Sequence, residues 1–392
     1  MNKLKEISYK YQDDILNFLS ELIKIKSYTG EEKEIANFIK NKMKELEYDE
    51  IIVTEYGDVI GRIGDGKNVI LFDSHMDTVT VNDETEWKVA PFSGEIVDGK
   101  MYGRGTCDMK SAIASSVYAG FFAKKLGLLE NKTVYVSASV MEEDFDGFAL
   151  ENIINTLPKK PDAVVICEPS DRQIALGHRG RALLEIHTVG ISCHGSAPEN
   201  GENAIYKMAE LIKRVEELNK KLYEKEGTHG SVALTKIEST SVSLNAVPDE
   251  CTIYLDRRLG YDEDYECIKD EMDTLVKGTG ATWKVYQALG KSYTEKDVCM
   301  NSFMEAWTMK EDDTITKAMV DAFENVTNEE AVLFHWNFST NGFASTKFNI
   351  PTIGYGPGIM KYCHMRDEHC NIKDVCDATA IYTRFINKFN LK

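Results

Sequence analysis

Two histidines and a series of carboxylates stand where apolar segments end. In NVILFDSHMDTV, residues 68–79, four apolar residues are followed by Asp73, His75 and Asp77. Residues two apart in an extended segment face the same side, so His75 could ligate a metal while Asp77 orients its ring. A polar strand end accounts for the pair equally well, and Asp73 reads as local structure. MYGRGTCDMKSAIAS places Asp108 behind Gly103 and Gly105 and just before a helix, as a ligand, as an N-cap, or as both. TVYVSASV runs into MEEDFDG and crowds Glu142, Glu143 and Asp144 together, an unfavourable arrangement without a cation. One glutamate could ligate and the other act as general base; spacing does not say which. AVVICEPSD delivers Glu168, and GYGPGIMKYCHMRDEHC delivers His364 beside Asp367 and Glu368. Cys363, His364, His369 and Cys370 offer a structural zinc site as an alternative, although no paired CxxC accompanies them. Taken together, mixed His/Asp/Glu donors suit zinc, or cobalt or manganese at a paired site. Two such ions about 3.5–4 Å apart can polarise a carbonyl and deliver hydroxide to it.

These side chains need rigid elements beneath them. Helical spacing of Ile15, Phe18, Leu19 and Leu22, and of Ile35, Phe38, Ile39 and Met43, alternates with short apolar runs at IIVTEY, NVILFD, TVYVSASV and AVVIC. SAIASSVYAGFFAKKLGLL reads as a helix buried against a sheet. This alternation predicts an α/β domain with a mostly parallel sheet, whose ligands lie beyond the carboxyl ends of the strands. From about Gly180 the order becomes β-α-β-β-α-β, a ferredoxin-like unit. Its strands are RALLEIHTV, SVALTKIEST, ECTIYLDRR and TWKVYQAL. Its long helix carries Ile205, Met208, Leu211, Ile212, Val215, Leu218 and Leu222 on one face, either packed on its own sheet or free to dock. The expected fold is therefore a hydrolase- or phosphorylase-like α/β catalytic domain, residues 1–179 and 296–392, interrupted by an α+β domain at 180–295.

The spaced set SHMDTV, GRGTCDMK, MEED, CEPS and GPG…CHMRDE resembles the co-catalytic dizinc hydrolases that include acetylornithine deacetylase, succinyl-diaminopimelate desuccinylase, carboxypeptidase G and aminoacylase. EEDFDG, GHRGRA, SCHGSAPENGENAIYKMA and HWNFSTNG are similar to its selenium-metabolism-linked (YgeY-type) subgroup. The resemblance implies that His75 and Glu168 bind one metal, Glu143 and His364 the other, and that Asp108 bridges both. It makes Asp77 the residue that orients His75, and Glu142 the base that takes a proton from water and returns it to the leaving amine. His194 in SCHGSAPENGENA would aid the oxyanion, in cis or across a dimer interface. Asn245 and Arg258, in NAVPDECTIYLDRR, would contact substrate, Arg258 as a bidentate clamp on a carboxylate. A salt bridge to Asp256 is the other reading of Arg258. Ser339, Thr340 and Asn341 occupy a substrate-side position where the family often has Thr-Asp, which leaves side-chain specificity open.

The expected function is metal-dependent hydrolysis of a small N-acyl, N-carbamoyl or aminoacyl amino acid, with two divalent ions, zinc foremost. A di- or tripeptidase or carboxypeptidase is the runner-up, and a non-catalytic binding protein on the same fold the rival from another class. The excess of 64 acidic over 46 basic residues, net −18, argues against nucleic acid and anionic membrane partners. Nine cysteines without repeated spacing, and no apolar leader, point to a cytoplasmic protein, expected as a homodimer.

Overall fold

The computed structural model describes residues 3–224, 230–241 and 243–390. They divide into two compact units: Met1–His178 with Gly290–Val298 and Thr308–Lys392, and Arg179–Leu289 with Cys299–Trp307. The sequence boundary at residue 296 falls elsewhere. Residues 290–295 go with the first unit and 299–307 with the second, because Phe303 and Met304 pair with Ala182 and Arg181.

The first unit is built on a mixed sheet. Its order runs Glu50–Val53, Val59–Gly64, Lys132–Ser139, Asn68–His75, Ala163–Ile166, Thr352–Gly354, Ile174–His178. The central strands are parallel: Asn68–His75 pairs in parallel with Lys132–Ser139 and with Ala163–Ile166, and the latter with Thr352–Gly354. Every residue of Asn68–His75, Lys132–Ser139 and Ala163–Ile166 is buried, as expected for strands covered on both faces. One cover is the Lys110–Lys125 helix, whose alanines, serines and Gly120 allow close approach and leave it buried almost all round. The C-terminal Ile372–Lys388 helix packs on it. Because these strands run in one direction, His75, Ser139 and Ile166 all finish at the same edge, and the chain leaving each strand carries the polar residues.

The second unit has the four antiparallel strands of a ferredoxin-like sheet, ordered Ser231–Ser239, Glu250–Leu259, Gly180–Val189, Thr282–Val285. Strict alternation in Gly180–Val189 and Glu250–Leu259 puts Leu184, Ile186, Ile253 and Leu255 on the face covered by the Ala204–Tyr223 and Tyr265–Val276 helices. The long helix uses its apolar stripe on this sheet. Met208, Leu211, Val215 and Leu222 are buried there, Ile212 and Leu218 partly, and only Ile205 among the stripe residues is exposed. TWKVYQAL is not one strand. Thr282–Val285 ends where Tyr286 N–H donates to Leu183 O, and Gln287–Lys291 departs to form a separate ribbon with Asp297–Asn301.

Candidate metal centre

The strand ends of the first unit bring six titratable side chains to one spot. His75 Nε2 lies 3.0 Å from Asp108 Oδ1, and His364 Nε2 lies 3.2 Å from Asp108 Oδ2. His364 Nε2 is also 3.1 Å from Glu143 Oε2. On the other side, Glu168 Oε1 and Glu142 Oε2 stand 3.7 and 3.9 Å from His75 Nε2. Two ligand triads result, His75–Asp108–Glu143 and His75–Glu142–Glu168, each with donor atoms within 4.8 Å of one another. Asp108 does not cap the helix it precedes: the N-cap is Met109, and no side chain makes a capping bond. Its carboxylate is divided between the two imidazoles instead.

Protonation follows from this crowding. Burial works against a charge on His75, but its hydrogen bonds to Asp108 and Asp77 outweigh that and push the imidazole well above its usual value. Contacts with Asp108 and Glu143 raise His364 to about 10. Burial pushes Glu142 and Glu168 well above the carboxylate range, with Glu168 the next cause for Glu142 and Asp108 for Glu168. Burial acts the same way on Asp108, yet its bonds to His364 and His75 hold it low. Four carboxylates and two imidazoles thus share protons where divalent cations would satisfy them all. The donor set, oxygen and nitrogen with no sulfur, fits zinc, cobalt or manganese.

Asp77 does more than orient a ring. His75 Nδ1 donates to the Asp77 main-chain oxygen at 3.0 Å, with Oδ1 farther off at 3.5 Å. Since a carbonyl can only accept, the proton of a neutral His75 sits on Nδ1 and the Nε2 lone pair faces the cluster. The Asp77 carboxylate is occupied by the N–H groups of Glu142 and Glu143, at 3.0 and 3.1 Å, and by Thr29 Oγ1 at 2.9 Å. Asp73 remains outside the cluster, buried and bonded to Ser137 Oγ at 2.6 Å and Asn341 Nδ2 at 2.9 Å. Asn341 therefore has both ends of its amide committed, since its Oδ1 accepts Gly147 N–H at 2.6 Å. Thr340 is buried and accepts Gly342 N–H, and Ser339 Oγ donates to Asp146.

Glu368, to which the motifs assign no role, ties the Asp108 turn to Arg104. Its Oε1 accepts the N–H groups of Gly105, Cys107 and Asp108, and its Oε2 pairs with Arg104 at 2.6 Å. An acidic residue four places after His364 was the available signal. The four-residue zinc alternative fails. His369 Nδ1 donates to Asp367 O and its ring lies against Tyr102 and Tyr362, and among the described residues no cluster of ligand atoms joins it to Cys363, His364 and Cys370.

In the second unit, His194 is exposed and pairs with Ala246 across a short antiparallel bridge, beside Asn245, whose carbonyl accepts Gly195 N–H. His194 Nδ1 accepts Ser196 N–H at 3.1 Å, which leaves the ring proton on Nε2. Arg258 is partly exposed and bonded through Nε and Nη2 to Asp256, at 2.7 and 3.1 Å. Arg257, by contrast, is fully buried between Glu263 and Glu271.

The profile of the peptidase family M20/M25/M40 matches residues 71–388. The chain belongs to this family. The uncharacterized protein YgeY of Escherichia coli (strain K12) is 35% identical over 376 residues, covering 95% of this chain and 93% of that protein. Succinyl-diaminopimelate desuccinylase of Wolbachia pipientis wMel is 26% identical, covering 96% and 94%. Among solved structures, the M20 family metallo-carboxypeptidase Sso-CP2 from Sulfolobus solfataricus superposes with a TM-score of 0.73 at 21% identity, over 95% of this chain and 98% of that one. These findings bear out the resemblance read from the motifs, including its YgeY-type character, and the two-part fold. This M20 protein is a hydrolase of C–N bonds, with metal-dependent amide hydrolysis as its chemistry. No helix among its described residues is long and apolar enough to cross a membrane.

Proposed function

We propose that the protein hydrolyses the amide bond of a small N-acyl, N-carbamoyl or aminoacyl amino acid at a pair of divalent cations, zinc foremost. The division of the Asp108 carboxylate between His75 and His364 carries this reading, since a bridging ligand is what a paired site requires. His75, Asp108 and Glu168 would hold one ion, and Asp108, Glu143 and His364 the other. Bound there, the ions would supply Lewis acidity toward an amide carbonyl and lower the pKa of water.

The chain's own groups supply the rest. Glu142 is buried, lies beside the cluster without contacting either imidazole closely, and is raised by burial and Glu168, so it can take a proton from water and return it to the leaving nitrogen. His194, with its proton on Nε2, is a donor suited to a developing oxyanion. Arg258 is the guanidinium with freedom to exchange Asp256 for a substrate carboxylate, whereas Arg257 is committed to two glutamates. Asn245 is an exposed polar neighbour of the His194 segment and a candidate substrate contact. For Ser339, Thr340 and Asn341 the bonding favours support of the loop over direct contact with substrate. Homodimer formation belongs to the same reading, with the Ser231–Ser239 strand as an available sheet edge. So does a cytoplasmic location, which the nine free cysteines suit.

A panel of N-acetyl, N-carbamoyl and aminoacyl amino acids, run with Glu142→Gln and Arg258→Met, tests the proposal. Glu142→Gln is expected to lose turnover and keep its metal, and Arg258→Met to raise KM for carboxylate substrates. Normal turnover by Glu142→Gln would remove Glu142 as base. Sedimentation of the purified protein decides the dimer.

A further inference from the structure

The turn that presents Glu142 and Glu143 is carried by four successive backbone amides, and each donates to a buried carboxylate. Val140 N–H donates to Asp58 Oδ1 at 3.0 Å and Met141 N–H to Glu32 Oε1 at 3.0 Å. Glu142 N–H and Glu143 N–H donate to the two oxygens of Asp77. Met141 has φ of 58°, in the left-handed region, which a non-glycine residue keeps only when its surroundings over-determine it. The turn is therefore held from outside.

Glu32 and Asp58 are both fully buried and reach the turn from separate parts of the chain. Residues 27–32 run along the chain that follows the Asn68–His75 strand. Ser27 Oγ donates to Met76 O at 2.7 Å, Thr78 N–H to Ser27 O at 2.9 Å, and Thr29 Oγ1 to Asp77. Glu32 Oε1 also accepts Gly30 N–H at 3.0 Å, which sets its side chain. Asp58 Oδ2 accepts Thr54 Oγ1 at 2.5 Å and Asn152 Nδ2 at 3.4 Å, leaving Oδ1 for Val140. Burying carboxylates against neutral donors is costly, and ending a strand does not require it. Neither residue approaches the ligand atoms of the cluster: each reaches it through the backbone of residues 140–141.

We propose that Glu32 and Asp58 are positioning residues for the amide hydrolysis, fixing the backbone of residues 140–141 so that Asp77 can set the directions of Glu142 and Glu143. The inference rests on the roles assigned to those two glutamates above. An acceptor oxygen at position 32 is the requirement, so an amide can replace the carboxylate but an apolar side chain cannot.

The test compares Glu32→Met, Glu32→Gln and Asp58→Asn as zinc-loaded proteins, with Glu142→Gln as control. Kinetics are read on the panel's best N-acyl or aminoacyl amino acid, zinc affinity by competition with a fluorescent chelator, and exchange of the peptide spanning residues 140–143 by mass spectrometry. Glu32→Met is expected to lower kcat about 10- to 100-fold, the scale of an ångström-level misplacement. KM should stay within about twofold, zinc should bind more weakly through Glu143, and exchange at 140–143 should accelerate. Glu32→Gln and Asp58→Asn, which keep an acceptor, should stay within about threefold of wild-type kcat on the same reasoning. Unchanged kcat in folded Glu32→Met, with only a lower Tm, would show a merely structural role and overturn the proposal. A collapse of kcat in Glu32→Gln would overturn it as well, and that variant decides the matter if Glu32→Met does not fold. Normal turnover by Glu142→Gln would instead count against the assigned base.

Discussion

Glu368 allows a prediction of which half of a buried ion pair matters more. Its carboxylate accepts three backbone N–H groups, from Gly105, Cys107 and Asp108 at 3.1, 2.8 and 3.2 Å, in addition to Arg104 at 2.6 Å. The two side chains are 0% and 5% exposed. Glu368→Gln keeps the shape but removes the anion, turning an amide NH₂ or a weaker acceptor toward Arg104. With its anion gone, the guanidinium keeps the Trp87 ring and two long hydrogen bonds, to the His364 and Met365 carbonyls, both at 3.4 Å. Removing one partner of a buried pair costs about 3–5 kcal/mol. Arg104→Met strands nothing comparable, because the carboxylate keeps its three N–H donors. The loss of one charge-assisted hydrogen bond costs about 1.5–3 kcal/mol. Glu368→Gln is thus the more damaging change, with a loss of about 3 kcal/mol corresponding to roughly a 150-fold change in the unfolding constant. Urea unfolding of the zinc-loaded proteins measures this. Tryptophan fluorescence reports on the first unit through Trp87, which lies 5.5 Å from the Arg104 guanidinium. Slopes must be compared together with midpoints, since the two units can unfold separately. If Arg104→Met proved as damaging as Glu368→Gln, the three N–H donors would not suffice to hold the buried carboxylate without its guanidinium, and the expected asymmetry would be refuted.

Three further outcomes are expected. Gly356→Ala would place a Cβ 2.2 Å from Cys167 O and 2.4 Å from Glu168 O, so it should displace the Glu168 strand end and weaken zinc binding in a chelator competition. Asn341→Leu would take the 2.9 Å donor from Asp73 Oδ2, leaving that oxygen Ser139 Oγ at 3.5 Å, and would leave Gly147 N–H without its acceptor; at about 1–3 kcal/mol for a buried group left unsatisfied, thermal unfolding should show a Tm lower by several degrees. Stripping the metal should lower Tm more at pH 8 than at pH 5.5. Burial raises Glu142, Glu143 and Glu168 above their unfolded value of 4.5, so the metal-free fold is favoured at low pH and loses stability as pH rises through the raised values. A Tm loss independent of pH would show that these carboxylates do not carry the effect.

Much of the site could be read along the chain, and for a physical reason. Parallel strands deliver their carboxyl ends to one edge, so apolar runs that finish in SHMD, MEED and CEPS mark residues that must meet there. Periodicity also disclosed the ferredoxin-like strand order, because alternation records which face is buried. It could not show where TWKVYQAL leaves its sheet, since Thr282–Val285 and Gln287–Lys291 each alternate like a strand, and residue type does not record which partner strand each one takes. Nor could it divide the labour among acids. Asp108 could serve as a cap or as a ligand until two imidazoles from distant segments were found on its two oxygens. Asp77 reads as a ring-orienting carboxylate; its main-chain oxygen is the nearer acceptor for His75, with Oδ1 at 3.5 Å, and its carboxylate also holds the turn at Glu142 and Glu143. Glu32 and Asp58 carry no local mark at all, because a backbone N–H can donate to a carboxylate from any part of the chain. Residue type and spacing determined which groups arrive at the site. Only the packed tertiary structure, which decides the hydrogen-bond partner of each buried carboxylate, determined what holds them in place.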